Sequence, residues 1–186
     1  MNRVFRILPL LMIAVLTGAM LLRIFQEQAP ELSAGLYLDP MLDKPIPALS
    51  LAPLHNTDRP LNLAELKGEP YLFNVFASWC SMCQLEHEEL KKLKEKTGLP
   101  LYGMAWKDNP EDTKIWLNRF GNIYDAVGTD IHGKAAIELG LTGSPETYLV
   151  DKNGIIIAIN RGVLAEVIAN HRFLPALLEA QQEGAI

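Results

Sequence analysis

The only two cysteines among 186 residues, Cys80 and Cys83, stand three positions apart, and their flanks leave few folds open. Tyr71 to Ala77, just before them, is rich in aromatic and β-branched side chains and short enough to be one buried strand, with Ser78-Trp79 as the turn that ends it. After them, Gln84 to Thr97 sets Leu90 and Leu93 among Glu and Lys, contains no proline and stops at Gly98, the pattern of an amphipathic helix closed by glycine. The order is strand, CxxC, helix.

A helix N-terminus offers unpaired backbone N–H groups and about half a positive charge, both of which stabilise a thiolate. Cys80, at the very start, is therefore expected to be the nucleophile and the more exposed thiol. Cys83 is expected to be the resolving thiol that attacks a mixed disulfide. Two other readings stay open: a structural disulfide, and a copper or zinc site in which Cys83 and His87, i and i+4 on one helical face, join Cys80.

Ahead of the domain, Ile7 to Leu22 is an apolar run broken only by Pro9, Thr17 and Gly18, preceded by Arg3 and Arg6 and followed by Arg23-Ile24-Phe25. At 1.5 Å per residue this reaches roughly 28 Å, close to the thickness of the hydrocarbon core. The segment after it lacks a small-x-small cleavage pattern, so residues 1–25 read as an uncleaved anchor, one transmembrane helix, which in a bacterium would lie in the inner membrane. Basic residues before the span leave the amino terminus in the cytoplasm and the rest in the periplasm. Without Arg3, Arg6 and Arg23, 14 basic residues face 22 acids, a net of −8 that makes nucleic acid an unsuitable partner.

From Gln26 to about Pro47 the chain has no sustained period and four prolines, giving a linker over 26–44 and a domain over 45–186. Leu49-Ser50-Leu51 and Leu61-Asn62-Leu63 alternate around a turn that includes His55, as a short hairpin would. Leu101 to Trp106 reads as a second buried strand. Asn109-Pro110 then opens a helix over Asp112 to Phe120 that buries Ile115, Trp116 and Phe120. Tyr124 to Val127 is a short strand and Lys134 to Leu139 a short helix. Glu146–Val150 and Ile155–Ile159 flank Asn153-Gly154 as a hairpin, and a last helix over Leu164–Gln182 is expected to break near Pro175. This is an α/β order with a mixed sheet and the CxxC at the carboxyl end of a parallel strand, where such sheets place their chemistry.

Gly140-Leu141-Thr142-Gly143-Ser144-Pro145-Glu146-Thr147 resembles the cis-proline segment that faces the CxxC in thioredoxin-like folds. With Trp79-Cys80-Ser81-Met82-Cys83, Gly103-Met104-Ala105-Trp106-Lys107-Asp108 and the anchor, it is similar to the CcmG/DsbE family of cytochrome c maturation thioredoxins over about Lys44 to Leu178. The resemblance implies a thioredoxin-like fold with an N-terminal hairpin extension and a central insertion. It also implies a thiol:disulfide oxidoreductase without cofactor or metal, fed by a DsbD-type transmembrane reductase and acting on apocytochrome c or its maturation partners. Haem attachment needs free thiols. A general reductase of the TlpA or ResA kind, and a copper-delivery module, are the alternatives. Two departures bear on partner choice: Asn160-Arg161-Gly162 lacks a histidine found in many members, and Ser144 stands where Ala is common.

Four further positions join the cysteines and Ser144 as site candidates. Glu86 falls on the same helical face as Cys83, Leu90 and Leu93 and reads as a buried carboxylate. By the resemblance, Glu146 lies near the thiols beside Pro145, where its charge opposes ionisation of Cys80 and makes the couple more reducing. Trp79 reads as an apolar wall over the thiols.

Overall fold

The computed structural model describes residues 39–55 and 59–185, together with helical residues at 12, 15–18 and 20. The chain divides into two units, Met1–Leu38 and Asp39–Ile186. Most of the expected anchor and tether lies outside the described residues, and among the described ones no helix is long and apolar enough to cross a membrane. The compact unit begins at Asp39, ahead of residue 45. Asp39–Lys44, read from sequence as the end of the linker, folds against it: Asp43 N–H donates to Ile156 O and Ile156 N–H to Lys44 O, both at 2.9 Å.

Seven strands form one sheet: β1 (Ser50–Pro53), β2 (Leu61–Asn62), β3 (Tyr71–Phe76), β4 (Leu101–Trp106), β5 (Ala126–Asp130), β6 (Glu146–Val150) and β7 (Ile156–Arg161), in the spatial order β2-β1-β5-β4-β3-β6-β7. β3, β4 and β5 run parallel and every other pairing is antiparallel, so the sheet is mixed as expected. The helices are α1 (Ser81–Thr97), α2 (Pro110–Phe120), α3 (Lys134–Glu138), α4 (Glu166–Ile168) and α5 (Leu174–Gln182). A π-helical turn over Ala169–Phe173 joins the last two and is the irregularity expected near Pro175, which has no N–H to continue the i→i−4 ladder of the turn before it.

β3 is buried at every position, which explains its near-continuous apolar run. Leu72 and Phe76 point into a cluster with Cys80, Cys83, Leu90, Leu93, Trp116 and Phe173 under α1, α2 and the carboxyl-terminal helix. Tyr71, Phe73 and Val75 point the other way, toward Leu49, Leu51, Leu139 and Tyr148. Ile115 corrects the sequence reading: it is 64% exposed, because α2 turns Thr113, Trp116 and Leu117 inward and a 100° step puts Ile115 on the opposite side. The strand expected from Tyr124 begins two residues later, with Tyr124 buried in the loop before it.

Gly103 in β4 sits beneath the stacked rings of Phe76 and Tyr124, whose centroids are 4.7 Å apart. A Cβ there would lie 2.9 Å from an atom of each ring. Gly103→Ala is therefore expected to destabilise the fold by about 1–3 kcal/mol and lower Tm by several degrees, measurable by thermal unfolding. An unchanged Tm would mean the rings move apart freely.

Candidate active site

Cys80 and Cys83 form a disulfide at the start of α1. Cys80 is the N-cap of the helix and the backbone N–H of Cys83 donates to its Sγ at 3.1 Å, so one of the first helical donors is directed at that sulfur. Both residues are nearly buried, Cys80 at 6% and Cys83 at 2% exposure, an order that agrees with the sequence reading although the margin is narrow.

The turn that delivers Cys80 is held by Asp108, a buried carboxylate to which the sequence reading gave no role of its own. It accepts from Ser78 N–H and Ser78 Oγ, both at 2.7 Å, from Thr113 Oγ1 at 2.8 Å and from Asn109 N–H at 3.0 Å. Trp79, next along, projects with 58% exposure. Its indole N–H donates to Lys107 O at 3.1 Å and its ring packs on Trp106. Lys107 adopts a positive φ of 47°, an uncommon conformation that aims this carbonyl at the indole.

Opposite the disulfide, the Ser144–Pro145 peptide is cis and Ser144 O lies 3.6 Å from Cys80 Sγ. Ser144 Oγ is buried without a partner among the described residues, and Gly162 N–H holds Pro145 O at 2.8 Å. The two motifs separated by about sixty residues in sequence therefore meet at one sulfur.

Glu86 is buried as expected, one turn along α1 from Cys83. Leu164 N–H donates to Oε2 at 2.7 Å and Asn74 Nδ2 to Oε1 at 2.9 Å, yet burial outweighs both donors and pushes its carboxyl up to about 7. Asn74, the single polar residue of β3, also donates to Thr147 Oγ1 and accepts from Tyr124 Oη at 2.8 Å. It ties α1 to the strand that follows Pro145.

Glu146 has a different setting. It is opposite Val75 on β3 and Arg161 on β7, hence on the other face of the sheet from Asn74 and Glu86. Its carboxylate is also fully engaged, with Arg161 Nη1 at 2.6 Å and Thr142 N–H at 2.9 Å among its partners. The sequence reading brought both acids toward the thiols; the structure aligns Glu86 with Cys83 and gives Glu146 a counter-charge. His87 belongs to neither group, because its Nε2 bonds Gly121 O at 2.9 Å and its ring meets Trp116 edge-on. Among the described residues no three His, Cys, Asp or Glu side chains converge as a metal site.

Comparison with known proteins decides between the readings of a CxxC in this position. The Redoxin family model matches residues 41–171. The thiol:disulfide interchange protein DsbE of Xylella fastidiosa is 37% identical over 172 residues, covering 92% of this chain and 83% of that protein. DsbE of Pseudomonas aeruginosa is 39% identical over 160 residues, 83% of this chain and 88% of its own length. The chain belongs to the DsbE family of thiol:disulfide interchange proteins. A crystal structure of a DsbF homologue from Corynebacterium diphtheriae superposes with a TM-score of 0.62 at 20% identity, covering 76% of this chain and 89% of that one, a likeness of fold alone. The chain is thus a thioredoxin-like α/β protein and a thiol:disulfide oxidoreductase with a CxxC pair.

Proposed function

We propose that the protein is a periplasmic reductase, held to the inner membrane by residues 1–25, in which Cys80 is the nucleophile and Cys83 the resolving thiol. The observation that carries this reading is the position of Cys80 Sγ, at the N-cap of α1 with the Cys83 N–H on one side and Ser144 O on the other. In the reduced protein, the Cys80 thiolate attacks one sulfur of a client disulfide. A Cys80–client bond forms, the client S–S bond breaks, and the displaced client sulfur leaves as a thiolate that takes up a proton. Cys83, losing its proton, then attacks Cys80 Sγ. The Cys80–Cys83 bond forms, the second client sulfur leaves, and two electrons have passed to the client.

A membrane dithiol donor of the DsbD type then restores the reduced pair. The client is apocytochrome c or a component of its maturation machinery, whose cysteines must be free for haem attachment. The DsbE naming of the relatives supports this, as does the N-terminal apolar run with its leading arginines. Trp79 and the Ser144–Pro145 loop flank Cys80 and face the client; Glu86 serves Cys83 from within.

Expressed in its bacterial host, a Cys83→Ser chain is expected to arrest as a mixed disulfide through Cys80, and mass spectrometry of the trapped adduct should identify a cytochrome c or one of its maturation proteins. Recovery of a broad set of envelope proteins instead would mean a general thiol reductase.

A further inference from the structure

Arg161 occupies a place that the exchange reaction described above does not use. Its guanidinium forms a two-pronged contact with Asp39, at the first residue of the compact unit, through Nε to Oδ2 and Nη2 to Oδ1 at 3.0 Å. From the same group, Nη1 reaches Glu146 Oε2 at 2.6 Å and Gly140 O at 3.1 Å. Glu146 in turn accepts from Thr142 N–H at 2.9 Å, Thr142 Oγ1, Gly143 N–H at 3.3 Å and Tyr148 Oη. The loop from Gly140 to Gly143, which leads directly into Ser144 and Pro145, is therefore fastened to one guanidinium, directly at Gly140 and through Glu146 at Thr142 and Gly143. Glu146 is 99% enclosed, whereas Arg161 and Asp39 are partly exposed at the rim.

We propose that Arg161 is a positioning residue for thiol exchange: gripped by Asp39, it cancels the charge of Glu146 two residues from Ser144 and fixes the loop that carries Ser144 O over Cys80. The inference rests on the reading of Cys80 as the exchanging thiol. Its physical basis is that a buried carboxylate without a counter-charge destabilises its surroundings, here the Gly140–Gly143 loop that leads to Ser144 O, 3.6 Å from Cys80 Sγ. The guanidinium meets Asp39, Glu146 and the Gly140 carbonyl at once, and another cation held there by Asp39 would supply the same counter-charge. Arg161 bonds to Asp39, Glu146 and Gly140 O rather than to a reacting sulfur. It acts through Glu146 and the loop.

The test equilibrates the full-length chain with glutathione buffers and follows the alkylation rate of Cys80 at pH 7, in wild type, Arg161→Met, Arg161→Lys, Glu146→Gln and the double variant Arg161→Met/Glu146→Gln. Methionine keeps the unbranched stem, and circular dichroism checks that each variant folds. For Arg161→Met the equilibrium constant for reduction by glutathione is expected to fall about threefold to tenfold, with a similar loss in the Cys80 alkylation rate. The double variant should recover most of both, since the uncompensated charge is gone, and Arg161→Lys should keep the equilibrium near wild type. Should Arg161→Met fail to fold, the charge-neutral double variant and Arg161→Lys still decide: wild-type equilibrium and alkylation rate in both support the inference, and a tenfold loss in either overturns it. It is equally overturned if Arg161→Met changes neither quantity, or if the double variant is as impaired as the single one. If the wild type exchanges no disulfide with glutathione at all, the reading of Cys80 fails first, an outcome distinct from these.

Discussion

Cys80→Ser will reduce disulfide exchange to the uncatalysed background, while Cys83→Ser will retain the first half of the reaction and lose turnover. The asymmetry follows from where α1 begins. Cys80 caps the helix and its sulfur receives the Cys83 N–H, so a helix-terminal donor that favours a thiolate over a thiol is aimed at it. Both cysteines border the core cluster, but Cys83 lies inside the first turn and is the more enclosed, 2% exposed against 6% for Cys80. A serine hydroxyl at position 80 offers no thiolate near neutral pH, so no mixed disulfide forms. Electron transfer from dithiothreitol to an oxidised CxxC peptide, with adducts identified by mass spectrometry, separates the two variants. If alkylation near pH 7 labels Cys83 alone in the reduced wild type, the roles are reversed.

Much of this arrangement is legible in the sequence because local rules govern it. The strand, the CxxC and the helix from Ser81 to Thr97 follow from a short apolar run, a helical stripe and a capping glycine, Gly98, at a φ of 68°. Glu86 is legible for the same reason, being one turn from Cys83 on the stripe. Asn74 is not: within a buried strand it interrupts an apolar run, and only the register of β3 against β6, with α1 crossing above, brings Thr147 and Glu86 to its amide. Asp108 follows the same logic, since its bonds to Ser78 span thirty residues of sequence. Arg161 and Glu146 become partners only through the β6–β7 pairing, and their distance from Asp39 along the chain hides the third member altogether. Polar contacts between distant segments are decided by topology.

Glu86→Gln is expected to have two effects that a merely structural residue would not combine. The first is on stability against pH. With its carboxyl pushed up to about 7 from an ordinary value of 4.5, Glu86 holds a proton in the folded chain across a window where the unfolded chain has released it. Stability therefore falls as pH rises through that window and is level above it, a loss of about 3 kcal/mol that glutamine abolishes. Denaturant unfolding of the oxidised protein at pH 5 and pH 8 should show the wild type losing about that much more than the variant. Parallel behaviour would mean that Asn74 and Leu164 keep the carboxylate ionised throughout. The second effect is on exchange. A carboxylate poised near neutrality, one turn from Cys83, suits the proton that must leave Cys83 as it attacks Cys80, and its loss should slow client release about 100-fold while leaving the first attack unchanged. The mixed disulfide would then accumulate in rapid-quench experiments at pH 7. Raising the pH above about 8.5, where a free thiol ionises unaided, should restore the release rate. A variant slowed equally in both steps at every pH would show that the substitution had disturbed the packing around Asn74, and that Cys83 loses its proton by another route.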